Sequence, residues 1–263
     1  MTDITITILG CGDSAGVPRI GGDWGNCDPH NSRNRRTRPS ILVQSATTTI
    51  VVDTGPDFHQ QLTRENIKTV DAVLYTHAHS DHVVGMDDLR ILQGRNGKRI
   101  PIYLDALTHA ELHSRFKYLF EEFSSYYPAV VDVNVIDETK MNQSIRIGDI
   151  DFIVFEQDHG QGLSSLGFRF GDIGYSTDMR DLNENALNVL KGIKTWVADC
   201  ADYSHGTGAL HSTLPNLQRL NDTIKAPQVY LTHLKMFFDY DAMCRNLPAG
   251  YLPAYDGLKI SGP

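Results

Sequence analysis

A chain of 263 residues that is 41% apolar and 21% charged has the make-up of an ordinary globular protein, which excludes fibrous and wholly disordered classes. Its 24 Lys and Arg against 32 Asp and Glu leave a net charge of −8, which argues against electrostatic binding of duplex nucleic acid over the whole surface. Cys11, Cys27, Cys200 and Cys244 show no metal-knuckle or redox spacing, no leader-like start and no long apolar run; reduced thiols, a cytoplasmic location and no membrane span are expected.

Residues 4–9 alternate Ile and Thr as a half-buried strand does, then enter the glycine-punctuated loop 10–18. Its glycines miss the spacing of a dinucleotide fingerprint, and no helical pattern follows. Arg33, Arg35, Arg36 and Arg38 follow as a basic run that could face a phosphate or solvent. Strands are expected at 40–43 and 49–52, the second ending in Asp53-Thr54-Gly55-Pro56, and at 70–75. Helical spacing covers 81–92 and 107–123, around a strand at 100–104. The second half predicts strands at 130–136, 151–155, 166–170, 174–177, 195–198 and 228–232, helices at 182–190 and 214–224, and an edge strand at 258–260. Strands and helices interspersed in both halves favour a layered α/β architecture, read as one domain over 1–263.

Polar residues recur where these strands stop: His77 after Tyr75, His159 after Phe155, Asp178 after Ser176 and His233 after Leu231. Loops at the ends of a rigid sheet are where sites are built. His77, His79, Asp81 and His82 crowd one short segment, and imidazole with carboxylate suits zinc, manganese or iron. Two metals need more ligands than this segment holds, so other strand ends must contribute. Asp81 has a competing use as a helix cap.

Thr76 to His82 matches the HxHxDH motif, and with Asp53-Thr54-Gly55 at a strand end the chain resembles the metallo-β-lactamase superfamily along its length, to Tyr255-Asp256-Gly257. The resemblance implies a four-layer αβ/βα sandwich and about two divalent ions per chain, Mn²⁺ or Zn²⁺. By the same resemblance His77, His79 and His159 would hold one ion, Asp81, His82 and His233 the other, and Asp178 would bridge them; Asp81 is also carried as a catalytic residue. Asp53 is expected to orient ligating histidines rather than to ligate. His79 stands where the oxygen-reducing branch resembles a Glu variant, which favours hydrolysis.

The segment Leu210-His211-Ser212-Thr213 resembles the His-Ser-Thr signature of the phosphodiesterase branch, which includes ribonuclease Z and the cyclic ribosyl phosphate phosphodiesterases of phosphonate degradation. The resemblance is nearest to the latter family, through the opening loop at 10–18 and the segments around Asp178, His211 and Asp256. His211 would be the general acid for the departing alkoxide; the alternative makes Ser212 or Thr213 a helix cap and His211 a bystander. That family's remote structural zinc is not expected here, since only Cys27 remains in the loop and Met236 replaces a ligand.

The expected activity is phosphodiester hydrolysis on a small cyclic phosphate, nucleotide or short oligonucleotide, with no duplex nucleic acid and no membrane as partner and a homodimer left open. A thioester or lactone hydrolase of the glyoxalase II type is the alternative, and a non-catalytic carrier resembling the pyrroloquinoline quinone biosynthesis member is another. Arg19, Arg35, Arg36, Arg38 and Arg180 are the phosphate candidates. His205 could line the pocket, and His109 with His113 is read as a solvated pair.

Overall fold

The structure, a computed structural model, describes residues 3–124, 126–202 and 209–262. The sequence folds into two seven-stranded sheets. The first contains β1 (Ile4–Gly10), β2 (Ser40–Gln44), β3 (Thr49–Val52), β4 (Ala72–Leu74), β5 (Ile100–Leu104), β6 (Val131–Val135) and β14 (Lys259–Gly262), in the order β14-β1-β2-β3-β4-β5-β6. The second contains β7 (Ser144–Ile147), β8 (Ile150–Gly160), β9 (Leu163–Phe170), β10 (Ile173–Ser176), β11 (Thr195–Asp199), β12 (Gln228–Thr232) and β13 (Tyr251–Pro253), in the order β13-β12-β11-β10-β9-β8-β7. Each sheet begins with antiparallel neighbours and becomes parallel, at β3 to β6 and at β10 to β13.

Strand periodicity builds the layers. Ile6, Ile8, Ile41, Val43, Ile50, Val52 and Leu74 point between the sheets, against Phe152, Phe168 and Phe170. Their alternate neighbours Leu9, Leu42, Val51 and Val73 point outward into a second apolar layer. Helices α1 (Phe58–Arg64), α3 (Leu89–Asn96) and α4 (Ala106–Phe120) cover that layer. Trp196, Ala198, Val229 and Leu231 do the same on the second sheet, under α5 (Glu184–Leu190), α6 (Leu214–Ile224) and α7 (Tyr240–Asn246). Three apolar layers between four structural layers make this the four-layer αβ/βα sandwich that the resemblance implied, with helices outside and sheets inside. Among the described residues no helix is long and apolar enough to cross a membrane.

Several sequence expectations need correction. The helix over 81–92 is α2 (Ser80–Val83), a 3-10 turn at Val84–Asp88 and then α3. A Cβ on Gly85 would lie 2.2 Å from the Gly55 carbonyl oxygen, so packing of this segment on the loop after β3 overrides the helical period. The helix over 107–123 stops at Phe120, and Leu107 and Phe123 are exposed rather than core. His159 lies inside β8, which runs five residues past Phe155 in a long pairing with β9, and not after the strand. Helices α1 and α7, at 7 residues each, and strands β7 and β13 were not expected.

The glycine-rich opening loop is fastened by Asp256. Its carboxylate accepts from Cys11 N at 3.1 Å, Thr37 N at 2.9 Å and Thr37 Oγ1 at 2.6 Å. Two loops far apart in sequence are thereby tied beside β1. Cys27 and Met236 pack with Val17 and Trp24 in a small apolar cluster.

Candidate metal centre

The ends of β3, β4, β8, β10, β11 and β12 converge on one patch at the rim where the two sheets meet. Three polar residues there adopt left-handed backbone without being glycine: Asp53 (φ 65°), Asp178 (φ 47°) and His233 (φ 59°). Such conformers cost on the order of 1–2 kcal/mol each and persist only where the surroundings hold them. Here Leu234 N donates to Cys11 O at 2.8 Å, and the Asp178 carbonyl accepts from Ser165 Oγ at 2.8 Å. The turns send the three side chains across the strand ends.

His77, His79, His159 and Asp178 offer ligand atoms within 4.8 Å of one another, and so do Asp81, His82, Asp178 and His233. Asp178 belongs to both groups. Its Oδ1 lies 3.6 Å from His159 Nε2, while its Oδ2 lies 2.9 Å from His82 Nε2 and 3.2 Å from His233 Nε2. The two oxygens therefore face different groups.

A divalent ion fits both groups on three grounds. His77 Nε2, His82 Nε2 and His233 Nε2 are buried without a hydrogen bond of acceptable geometry, although carboxylates lie close to two of them. Donor atoms that approach one another but do not aim at one another share a common focus, as ligands do. The protonation states of His77, His159, Asp81 and Asp178 also suit ligation. Burial, then repulsion from His82, holds His77 well below the ordinary imidazole value, and burial lowers His159 despite Asp178. Burial acts to raise Asp178 and Asp81, but the histidines, His233 and His82 foremost, outweigh it and hold both carboxyls below their usual range. Finally, burial disfavours charge on His82, yet Asp178, Asp53 and Asp81 override it and raise the imidazole well above its ordinary value. A cluster with this much buried carboxylate calls for positive charge, which metal ions supply.

The surrounding residues orient these groups. Asp53 accepts from Thr76 N at 2.9 Å and Thr76 Oγ1 at 2.8 Å, and from His82 Nδ1 at 2.7 Å, which turns His82 Nε2 toward the centre. Thr76 Oγ1 lies 3.0 Å from His77 Nδ1. His159 Nδ1 is engaged by Leu210 O at 3.1 Å, leaving Nε2 inward. Asp81 sits in the first turn of α2, whose N-cap position is His79, so Asp81 is not the cap.

His211 stacks on His233 with ring centroids 4.7 Å apart, and its Nδ1 lies 2.7 Å from Asp199 Oδ2. Thr213 is the N-cap of α6, so the capping alternative holds for Thr213, yet His211 faces the centre as well. Burial works to lower His211, but the Asp199 carboxylate more than compensates and pushes it up to about 9. Sequence reasoning missed Asp199, which also accepts from Met179 N at 3.0 Å and Ala201 N at 2.8 Å. The signal was present, since Asp199 ends β11 as His233 follows β12.

A cleft of about 390 Å³ opens beside the first ligand group, lined by His77, His79 and His159 together with Glu111 and Arg115 of α4. None of the five expected phosphate arginines lines it. Arg19 pairs with Asp13 at 3.3 Å, Arg38 with Asp57 at 2.9 Å and Arg180 with Asp158 at 3.6 Å. Arg35 lies over the Trp24 ring, and Arg36 is buried and donates to Phe238 O at 2.7 Å. His109 and His113 stay remote on α4, where His113 meets Glu121 at 3.2 Å. His205 lies outside the described residues.

Comparison with known proteins bears on the same patch. Residues 48–234 match the family model of the beta-lactamase superfamily domain. A crystal structure described as a new diphosphatase from the PhnP family is 35% identical, with a TM-score of 0.88 over 99% of this chain and 97% of that one. An octanoyltransferase of Porphyromonas gingivalis is 29% identical over 96% of this chain but only 50% of its own length. A ribonuclease Z of Methanopyrus kandleri is 29% identical over 48% of this chain and 41% of its own length. The chain thus spans about half the length of the curated relatives it matches. From a family match that takes in every strand end of the patch, and a relative alike from end to end, it follows that the chain belongs to the beta-lactamase superfamily, in the PhnP family of its phosphodiesterase branch.

Proposed function

We propose that the protein is a hydrolase with about two divalent ions per chain, Mn²⁺ or Zn²⁺, that cleaves a phosphodiester bond in a small cyclic phosphate, a nucleotide or a short oligonucleotide. His77, His79 and His159 would hold one ion and Asp81, His82 and His233 the other, with Asp178 between them. Such ions supply a polarised phosphoryl group and a water of lowered pKa.

The observation that carries the phosphodiester reading is the His211–Asp199 pair. Asp199 occupies His211 Nδ1 at 2.7 Å, so Nε2 is the nitrogen left to exchange a proton at the centre. Asp199 also keeps His211 protonated beyond neutral pH, as an acid for a leaving alkoxide must be. Thioester cleavage has a thiolate leaving group that needs no such acid. The octanoyltransferase name belongs to a protein of which half lies outside the match, so its acyl chemistry need not reside in the part alike to this chain.

Turnover of bis-p-nitrophenyl phosphate and of an acyl thioester, each with Mn²⁺ and with Zn²⁺, tests the reading. Phosphodiester cleavage exceeding thioester cleavage is expected. Turnover of the thioester alone would overturn it in favour of the glyoxalase II type, and absence of any turnover with metal bound would favour a carrier.

A further inference from the structure

Among the described residues, the cleft beside His77, His79 and His159 has one Lys or Arg on its wall, Arg115. Glu111 and Arg115 stand four apart on α4, in the orientation that ordinarily forms a helical ion pair. They do not pair. Arg115 Nη1 donates to Ala78 O at 2.6 Å and Nη2 to Ser80 Oγ at 3.2 Å, while α4 departs from regular helix at Phe116, the next residue. Ala78 lies between two of the candidate ligands, so the guanidinium is fastened to the ligand segment itself. Among the described residues Arg115 makes no ion pair, and Glu111 makes neither an ion pair nor a hydrogen bond.

A guanidinium has five N–H donors in a planar fork, and the two bonds to the ligand segment leave donors of this cleft-lining residue unused. The same cleft holds Asp105, whose carboxylate accepts from Thr108 N at 2.6 Å as the cap of α4, and Glu111. An exposed cation fixed in orientation, with neither carboxylate paired to it, on the wall of a cleft that ends at candidate metal ligands is suited to an anionic oxygen group. One phosphoryl group at the metal centre satisfies the ligands described above. The next anionic group along the substrate meets Arg115. Beyond it, Glu111 offers acceptors to hydroxyls and repels further negative charge.

We propose that Arg115 binds the second phosphate of a diphosphate ester whose hydroxyl-bearing group extends toward Glu111, so that the preferred substrate has two linked phosphates and not one or three. This rests on the reading of the same centre as one that hydrolyses at phosphorus; the bond cleaved is then a phosphoanhydride, whose phosphate leaving group does not depend on a proton from His211. Cleavage consumes one water: its oxygen bonds to the phosphorus at the centre, and the bond from that phosphorus to the bridging oxygen breaks. The bridging oxygen leaves with the electron pair as part of the phosphate held by Arg115, and the two protons of the water pass to solvent or to the product phosphates.

Steady-state hydrolysis of diadenosine diphosphate and bis-p-nitrophenyl phosphate by the metal-loaded protein, its Arg115→Ala variant and its Arg115→Lys variant provides the test, with metal content measured on each. In Arg115→Ala the ratio of kcat/KM for the diphosphate to that for the single-phosphate substrate should fall by about 10- to 100-fold, the scale of a lost charge-assisted hydrogen bond. Arg115→Lys should fall between, since it keeps the charge and loses the fork. Calorimetric binding of α,β-methylene-ADP should weaken by a similar factor in Arg115→Ala, and binding of AMP by less. A parallel loss on both substrates, or a loss of bound metal that accounts for the change, would make Arg115 a brace of the ligand segment and overturn the inference. If the wild type cleaves bis-p-nitrophenyl phosphate but not the diphosphate, this inference fails while the phosphodiesterase reading stands. If only a thioester is turned over, that reading fails, and equal binding of α,β-methylene-ADP by wild type and Arg115→Ala would remove this inference independently.

Discussion

His211 reaches the centre from the loop before α6, and what it can do there is set by Asp199 at 2.7 Å. If His211 protonates the leaving oxygen, His211→Ala slows cleavage of a phosphodiester with a poor leaving group by about 10²-fold or more, with metal content unchanged. Equal rates for the two proteins would remove His211 from the mechanism. The pH profile gives a second check. A raised imidazole keeps its proton as pH climbs, so activity that depends on the acid form persists through neutrality and falls as pH rises through about 9. Asp199→Asn removes the strongest upward influence, and the alkaline limb should move to lower pH. A limb that stays in place in Asp199→Asn points to some other group. His211 itself was legible from its sequence context, whereas Asp199, although it stands at the end of the strand expected at 195–198, is a lone strand-end aspartate whose partner only the fold brings to it.

Elements decide how closely the ligand segment can approach its neighbours. The backbone of Gly85 donates to Thr54 O at 2.8 Å, and Thr54 N donates to His82 O at 2.7 Å, so the loop after β3 and the segment from α2 into the following turn are laced together. At Gly85 a side chain has no room: its Cβ would meet Gly55 O at 2.2 Å and Thr54 O at 3.1 Å. Gly85→Ala should destabilise by about 1–3 kcal/mol. That lowers Tm by several degrees in thermal unfolding and weakens metal retention, because His82 and Asp53 are displaced together; an unaltered Tm would show that the two segments part without cost. Periodicity located β1, β3, β5, α6 and β12 well, since each carries the apolar run or period of its own element type. It failed over 81–92, where contact with another loop sets the backbone, and it passed over α1 and α7, too short to display a period.

At the scale of the molecule the centre exists only because two sheets are packed face to face. The segment after β4 brings His77, His79, Asp81 and His82 from the first sheet, while β8, the turn after β10 and the end of β12 bring His159, Asp178 and His233 from the second. Asp178 stands in both ligand groups, with an oxygen toward each. Asp178→Ala should therefore lower metal content from about two ions per chain to one or fewer, with the far-ultraviolet circular dichroism kept. Elemental analysis reads the outcome, and retention of the full complement would show that Asp178 is not shared.

By itself the sequence determined the layered α/β architecture, because short apolar strand runs interspersed with helical periods commit the chain to sheets whose faces helices cover. It also determined the crowding of His77, His79, Asp81 and His82, because four donors in one short segment are local information. The resemblance named His159, Asp178 and His233, but only tertiary structure brought them to that segment, added Asp199 behind His211 and decided which arginine faces the cleft. The basic run at 33–38 resembled a phosphate site in sequence, yet Arg36 and Arg38 are used by Phe238 O and Asp57, while Arg115, one among many charges on a helix, is turned onto Ala78 O. Local pattern records what a residue can do; the partners that the fold brings to it decide which of those uses remains open.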